Sequence, residues 1–350
     1  MSAALVRPAP FTKARFVRTL VVGAVVAAIA VAVSLSLGAE RIDVLAVLGG
    51  GGSGVDREIF FQLRLPRVLT GALVGGGLAA AGVAFQALLR NPLAEPYLLG
   101  ISGGGSLGAV LAIVVGGAAG SAIGIPFLAI RTVAALAGCL CALGLVHAIA
   151  TRGGVLRPST LLLAGVVVNA FFLAGLACVQ YVATPEESQA ILRWILGGLE
   201  TGGPAETIVL ALVVPLAVAA LAAHAPSLQA LVFGEDTARH LGVDVDGVRR
   251  RTFVLASAMT AASVAVAGPI GFVGLVVPHA VRIVTGSDPR ALIPASFFAG
   301  AAFLPLADAA ARTVLAPREL PVGVVTALVG APAFLVLVVR RGATREAMRG

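Results

Sequence analysis

Apolar runs of about 20 residues recur along the whole chain, separated by shorter polar segments. A helix of that length crosses the roughly 30 Å hydrocarbon core of a bilayer, where a segment must satisfy its own backbone hydrogen bonds. The pattern therefore predicts an all-α, polytopic membrane protein. The predicted spans cover residues 20–37, 68–89, 98–115, 125–150, 160–182, 207–223, 252–272, 273–284, 292–311 and 322–339.

The first apolar run follows four basic residues, as the apolar region of a signal peptide would. Its length is that of a full span, whereas a cleavable signal has an apolar region of about 7–15 residues. We therefore expect an uncleaved first helix that enters from the cytoplasm. With this orientation sixteen Lys and Arg residues lie on cytoplasmic segments and eight on the outer side, with Arg282 unassigned. Because cytoplasmic loops carry the excess of basic residues, the bias predicts cytoplasmic N and C termini.

Composition supports the membrane assignment, since 59% of the residues are hydrophobic and only 12% are charged. The net charge is +8, but the basic residues form no dense tract and accompany no nucleic-acid motif, so we expect no nucleic-acid partner. Lys13 is the only lysine and follows no glycine-rich loop, which excludes a GxxxxGK[ST] phosphate loop. Any ATP that drives this protein must be hydrolysed by another chain.

Few side chains in the predicted spans are of the types that transfer protons, bind ions or catalyse reactions. Asp308 is the one acid well inside a predicted span, and it is either a proton relay or ion ligand, or a structural hydrogen-bonding group. The histidines show no HxxxH or HExxH spacing, and the cysteines show no CxxC spacing, so we predict no metal site. No nucleophile–base pair or paired carboxylates indicate an enzyme.

Two polar segments flank the second predicted span. Arg64 and Arg67 enclose a proline at its outer end, where they could dock an acidic partner or anchor the helix end at the interface. Residues 89–96 contain two prolines at its cytoplasmic end. Because proline stiffens the backbone and discourages helix before it, this corner could gate a pore.

Two further segments lie in the second half of the chain. Residues 226–251 are the longest cytoplasmic segment, and Leu231, Glu235 and Arg239 share an i, i+4 spacing before a glycine, which predicts a short docking or membrane-surface helix. Residues 268–279 are broken at membrane depth, where irregular backbone must lie against protein or a wet cavity. We expect this stretch to line the pathway or the dimer interface through Gly268, Pro269, Gly271, Gly274 and Pro278.

The order of motifs resembles a known family over about residues 16 to 341. The motifs are RLPR, GxxLAxAGxxFQxLLRNPLAEPxLLGIS, LLLAG, a tryptophan–glycine element, FGEDTARHLGV, AGPIGFVGLVVPH and ELPVGVVTALVGAPAFLVLV. They closely resemble the FecCD family, the permeases of ABC importers for ferric siderophores, haem and cobalamin. The resemblance implies one membrane permease domain over residues 1–350, with about ten transmembrane helices in the type II ABC importer fold. Residues 1–18, 226–251 and 341–350 would be cytoplasmic.

The resemblance also implies the partners of the chain. A second permease subunit, identical or different, would enclose the pathway together with this one. Two ATPase subunits would bind ATP and Mg, so the chain itself would need no cofactor. A periplasmic or lipid-anchored substrate-binding protein would dock on the outer side of the bacterial cytoplasmic membrane.

Several residues acquire roles from the same resemblance. Arg64, Arg67 and Arg312 would meet acidic residues of the binding protein, and Asn91 and Leu93 would form a cytoplasmic gate. Residues 231–245 match the coupling helices that rest on the ATPase. Their contact residues would be Gly234, Glu235, Ala238, Arg239, Leu241 and Gly242.

The chain departs from the cobalamin importer of this family at one gate. Where that importer carries a Ser-Thr pair, this sequence reads Arg157-Pro158-Ser159, which weakens a cobalamin assignment. We therefore predict a permease for a metal chelate, a ferric siderophore in the first place, with cobalamin or haem as alternatives. An ion-coupled secondary transporter that works without an ATPase is the hypothesis from another class, and it would need ligands for a coupling ion near the midplane.

Overall fold

The computed structural model describes residues 12–38, 40, 42–51, 53–123, 127–152, 155–199 and 203–347. These residues form a helical bundle with one short antiparallel ladder, which confirms the all-α membrane fold. Residues 1–11 and 348–350 of the predicted cytoplasmic tails, and the start of the fourth predicted span at residue 125, lie outside the described residues. The elements are α1 (Lys13–Ser36), α2 (Val44–Leu48), α3 (Gly54–Glu58), a π-helical turn (Ile59–Arg64), α4 (Leu65–Leu88), a 3-10 turn (Pro96–Leu99), α5 (Ile101–Ile123), α6 (Phe127–Ala150), β1 (Thr151–Arg152), β2 (Val155–Leu156), α7 (Pro158–Val182), α8 (Pro185–Ile195), α9 (Pro204–Val232), α10 (Glu235–His240), α11 (Val245–Ala267), α12 (Val273–Thr285), α13 (Pro289–Thr313) and α14 (Val322–Ala347).

Each of the ten predicted spans overlaps one long or apolar helix. In the described part of the chain, six helical stretches are long and apolar enough to cross a membrane: Lys13–Ser36, Gly54–Leu88, Leu128–Ala150, Pro158–Val182, Pro204–Val232 and Pro289–Thr313. Three shorter apolar helices, Ile101–Gly116, Val273–Thr285 and Val322–Val336, correspond to the third, eighth and tenth predicted spans. The seventh predicted span corresponds to α11.

Helix α11 is long enough to span but carries many small polar residues. Sixteen of its 23 residues are buried, including Ser257, Thr260 and Ser263. It packs against α4, α5, α6 and α9, so neighbouring helices rather than lipid surround it. A helix in this position needs small side chains for close packing more than it needs an apolar surface.

Glycines set the separation between the central helices. Helix α13 packs against α4 where Gly300 faces Gly75, and a β-carbon on either glycine would collide with the carbonyl oxygen of the other. Gly82 of α4 lies equally close to the backbone of Gly274 in α12. Since lipid supplies no hydrophobic drive between helices, such close backbone contact is what holds the bundle together.

The bundle has two ends, which we name the Arg67 end and the α10 end. Helix α4 begins beside Arg67 and ends beside α10, and its 24 residues extend over about 36 Å. Helix α13 runs antiparallel to α4 and finishes at the Arg67 end, as does α1. From the distribution of basic residues, we expect the α10 end to be cytoplasmic and the Arg67 end to face outward.

The predicted cytoplasmic segment at 226–251 is largely helical, and its position outside the membrane stays a prediction. Helix α9 continues to Val232 and α11 already begins at Val245, so residues 233–244 alone lie between them. Gly234 has φ +128°, which interrupts the helix predicted from Leu231 onward and leaves α10 only six residues long. Gly242, with φ +76°, follows the end of α10.

Helix α11 ends before the end of the seventh predicted span, because the backbone leaves the helix after Ala267. Residues 268–272 are irregular, with φ +67° at Gly268 and +68° at Phe272. Helix α12 then starts beside Gly82 and is about 20 Å long, too short for the hydrocarbon core. The break therefore lies inside the bundle, and Gly274 and Pro278 fall within α12.

The glycine contact between α4 and α13 predicts a specific loss of stability. We expect Gly300→Ala to destabilise the protein, because overpacking of this kind costs about 1–3 kcal/mol. Gly144→Ala is the matched control, since nothing lies within 4 Å of a β-carbon at that helical glycine. The apparent melting temperature in detergent should fall for Gly300→Ala and hold or rise for Gly144→Ala. Equal shifts in the two variants would contradict the packing argument.

Candidate functional site

A buried carboxylate organises the Arg67 end. Asp308 of α13 is 1% exposed and accepts a bidentate contact from Arg67 of α4, with Nε–Oδ2 at 3.0 Å and Nη2–Oδ1 at 2.9 Å. Arg312, one helical turn later, places its Nε 3.0 Å from Oδ2. Two guanidinium groups thus offset one carboxylate charge where water has little access.

The remaining arginine contacts tie the helix ends together. Arg64 closes the π-helical turn and donates from Nη1 to the carbonyl of Leu35 at 3.1 Å and from Nη2 to that of Glu40 at 2.7 Å. Arg312 donates to the carbonyl of Ser34 at 3.2 Å. The carbonyls at the end of α1 are among those that a helix leaves unpaired, and arginine satisfies them here.

The predicted docking arginines differ in their access to solvent. The side chains of Arg64 and Arg312 are about 5% exposed, whereas that of Arg67 is 15% exposed. The outward amino group of Arg67 lies 2.8 Å from Glu319, an acid of the loop after α13 that sequence reasoning did not single out. Of the two readings of Asp308, this pairing supports the structural one, while the docking role of the arginines stays a prediction.

At the α10 end, Glu235 holds the predicted coupling helix in place. Its carboxylate pairs with Arg249, which lies on α11 and is only 5% exposed. Arg90, in the loop after α4, approaches Glu235 to 3.5 Å, and Arg239 approaches it to 3.9 Å. Arg239 is 54% exposed, so its pair with Glu235 contributes little to stability. Glu235 therefore joins three parts of the chain, α10, α11 and the predicted gate loop.

The other predicted coupling residues separate into a buried anchor and an exposed surface. Ala238 is fully buried on the inner face of α10. Leu241, directly after α10, is 68% exposed, and Phe233, just before α10, is 69% exposed. Two large apolar side chains beside a short charged helix form a surface suited to protein contact.

The predicted gate residues lie in a tightly turned loop. Arg90 has φ +48°, an uncommon conformation for a residue with a side chain. The side chain of Asn91 accepts a hydrogen bond from the amide of Leu93 at 3.0 Å, and the carbonyl of Asn91 accepts one from Ala94 at 3.0 Å. Leu93 is 44% exposed, so its side chain is presented at the surface of this single subunit.

Glu95 is a functional candidate that sequence reasoning passed over as part of the two-proline corner. Its carboxylate accepts a hydrogen bond from the backbone amide of Phe272, at the break between α11 and α12. Burial raises the pKa of Glu95 above its ordinary value, and the hydrogen bond from Phe272 opposes that rise. The available signal was a lone acid set between a stiff turn and an apolar run.

The chain is similar in sequence and in fold to known proteins of one family. The model of the FecCD transport family matches residues 16–340. A cobalamin import system permease of Halobacterium salinarum is 43% identical, with 79% of this chain and 72% of that protein covered. An iron(3+)-hydroxamate import system permease of Bacillus subtilis is 37% identical over 88% of this chain and 92% of that one. A solved metal-chelate type ABC transporter in an inward-facing conformation superimposes with a TM-score of 0.81 at 30% identity, covering 92% of this chain and 99% of that one.

The Asp308 cluster predicts that removal of one charge destabilises the Arg67 end. We expect Asp308→Asn to cost about 3–5 kcal/mol, because two buried arginines lose their shared counter-charge. Glu319→Gln, which removes the exposed partner of Arg67, should cost about 0–1 kcal/mol. Apparent melting temperatures in detergent would measure both changes. If the two variants melt at the same temperature, Asp308 does not hold this end together.

Proposed function

Because the chain belongs to the FecCD transport family, we propose that it is the permease of an importer for an iron(III)–siderophore complex. Members of this family are ABC importer permeases, and the ATPase is a separate subunit. The observation that carries the proposal is the α10 end, where the exposed Phe233 and Leu241 flank a short helix anchored by Glu235. A permease that takes its energy from another chain needs such a contact surface.

The α10 end would face the cytoplasm and rest on two ATPase subunits. Gly234 and Gly242 bound α10, and their left-handed backbone lets the helix project from between α9 and α11. The pair of Glu235 with the buried Arg249 gives the projecting helix a fixed attachment. An ATPase that moves α10 would therefore move α11 with it.

The Arg67 end would receive the substrate-binding protein. Of the three predicted docking arginines, Arg67 has the side chain nearest to solvent, and it already holds an exposed carboxylate, that of Glu319. A carboxylate of the binding protein would take the same place. Arg64 and Arg312 would act from beneath by adding positive potential and by fixing the helix ends that present Arg67.

The pathway would lie between this subunit and a second one. Within the break at 268–272, Gly271 and Phe272 are only partly buried in this subunit, which favours a position at the pathway or at the subunit interface for this part of the break. An identical partner suffices for this arrangement, and a different permease chain is the alternative. Asn91 and Leu93 would close the pathway on the cytoplasmic side.

The proposed cargo rests on what related permeases are named for and on one sequence difference from the cobalamin importer. Relatives are named for cobalamin import, at 43% identity, and for iron(3+)-hydroxamate import, at 37% identity. The sequence Arg157-Pro158-Ser159, which begins α7, replaces the Ser-Thr pair expected of a cobalamin importer. This favours the iron(III) chelate, with cobalamin and haem as the alternatives.

The transport cycle follows from this arrangement. The binding protein releases the chelate into an outward-open cavity between the two subunits, and ATP binding closes the ATPase dimer beneath α10. Because the ATPase binds one permease conformation more tightly than the other, it shifts the population between outward-open and inward-open states. No group of the permease has to titrate.

Ion-coupled transport is the second candidate, and one observation weakens it. Asp308 was the acid that could have bound a coupling ion, and two guanidinium groups already offset its charge. A cation at this carboxylate would have to displace an arginine. The ATP-driven permease therefore fits the described residues better.

Reconstitution separates these candidates. We expect proteoliposomes that contain the permease, its ATPase and its binding protein to accumulate a radiolabelled iron(III)–siderophore complex only when ATP is supplied. An ATPase variant unable to hydrolyse ATP is the control. Uptake driven by an ion gradient without the ATPase would overturn the permease assignment, whereas ATP-driven uptake of cobalamin or haem alone would overturn the cargo.

The docking proposal predicts that removal of an acid strengthens binding. Glu319→Gln frees the outward amino group of Arg67, so the binding protein should bind about two- to fivefold more tightly. Glu186→Gln is the matched control, since it removes an exposed charge from the same expected side without touching Arg67. Surface plasmon resonance on detergent-solubilised complex measures both affinities. Equal effects would indicate general electrostatics, and weaker binding of Glu319→Gln would exclude competition at Arg67.

A further inference from the structure

The loop of residues 90–96 is attached by polar contacts to two elements far from it in sequence. Arg90 at its start meets Glu235 of α10, and Glu95 near its end meets the amide of Phe272 at the break. We infer that this loop transmits the movement of α10 to the break at 268–272, with Arg90 and Glu95 as its positioning residues. The inference rests on the proposed role of α10 as the ATPase contact.

The first contact links the loop to an element that is itself firmly held. Glu235 is also fixed by the buried Arg249, which contacts the same carboxylate oxygen as Arg90, so its carboxylate moves with α10 and α11. Arg90 lies 3.5 Å from that carboxylate. Its left-handed backbone turns the chain sharply after α4, a conformation that a non-glycine residue keeps only when its surroundings impose it. A displacement of α10 therefore reaches Arg90 directly.

The loop is stiff enough to pass such a displacement onward. The amide of Asn91 donates to the carbonyl of Gln86 at 3.2 Å, which attaches the loop to the last turn of α4. Within the loop, Asn91 accepts hydrogen bonds from the amides of Leu93 and Ala94. Prolines at positions 92 and 96 remove further backbone freedom. The predicted gate residues Asn91 and Leu93 thus lie on the connecting segment itself.

The second contact reaches the N-terminus of α12. The first amides of a helix have no partner within it, and Glu95 supplies an acceptor for that of Phe272, the residue that caps α12. The ring of Pro96 packs on Gly274, where a β-carbon would lie 2.7 Å from Cδ. Gln86 of α4 also donates to the carbonyl of Gly274 at 3.3 Å. The end of α4, the loop and α12 therefore form one connected block.

The break at 268–272 is the place where this block can separate from α11. Gly268 and Phe272 are both in the left-handed region, and no regular hydrogen-bond ladder joins α11 to α12 through them. A rotation there changes the angle between two helices without breaking either. The movement of α10 would in this way open or close both the loop gate and the broken span together.

The ratio of substrate transported to ATP hydrolysed tests the first contact. In proteoliposomes of the complete importer, we expect Arg90→Gln to lower this ratio about tenfold, the size of a typical coupling between sites. Arg90→Lys keeps the charge and should restore most of the ratio. Arg250→Gln is the matched control, an exposed arginine at the same end outside the loop. Co-purification of the ATPase with each variant shows whether the complex still assembles.

The second contact is tested by Glu95→Ala and Glu95→Gln. Glutamine keeps an acceptor for the amide of Phe272 and should retain most of the transport ratio, whereas alanine should lose it. Elution of both variants as assembled complex on size exclusion excludes a folding defect. If Arg90→Gln and Glu95→Ala transport as many molecules per ATP as Arg250→Gln, the relay is wrong. Failure of the unmodified importer to use ATP would instead overturn the proposed function.

Discussion

Close backbone contact between helices is the constraint on which the rest of this structure depends. In lipid the helices gain nothing from hiding apolar side chains from one another, so they must gain from contact at short range. Gly75 and Gly300 bring α4 and α13 together at their middles, and Gly82 with Gly274 brings α12 onto the same helix. These contacts hold α4 in the centre of the bundle, and both of its ends then carry polar clusters.

The two clusters use charge differently because their surroundings differ. At the Arg67 end, Asp308 is nearly inaccessible and pairs with two arginines, an arrangement in which removal of one partner is costly. At the α10 end, Glu235 pairs with the buried Arg249 and with two more accessible arginines, and its pair with Arg239 can be exchanged at small cost. The first arrangement suits a rigid support for docking, and the second suits a part that moves.

The sequence predicted the spans well, because apolar length is a direct requirement of the bilayer. It predicted the helix boundaries less well where composition does not change at the membrane surface. Helix α9 continues past Pro226 because Ala and Leu residues continue there. The backbone conformation of Gly234 then interrupts the helix, which composition does not indicate. Contacts between residues far apart in the sequence could not be predicted from local sequence. Nothing local to Asp308 indicates Arg67, 241 positions away, and nothing local to Glu95 indicates Phe272. The family motifs identified the important segments but not which side chains within them meet.

The shortness of α12 bears on how tightly this protein must seal when it is idle. A helix of about 20 Å leaves roughly a third of the hydrocarbon thickness to be closed by the five irregular residues before it. Protons and small ions would need to cross only that thin layer if water entered from both sides. If the break lines the proposed pathway, side chains and backbone at 268–272 are constrained by leakage as well as by transport: a change that eased the passage of a large chelate would also dissipate the membrane potential.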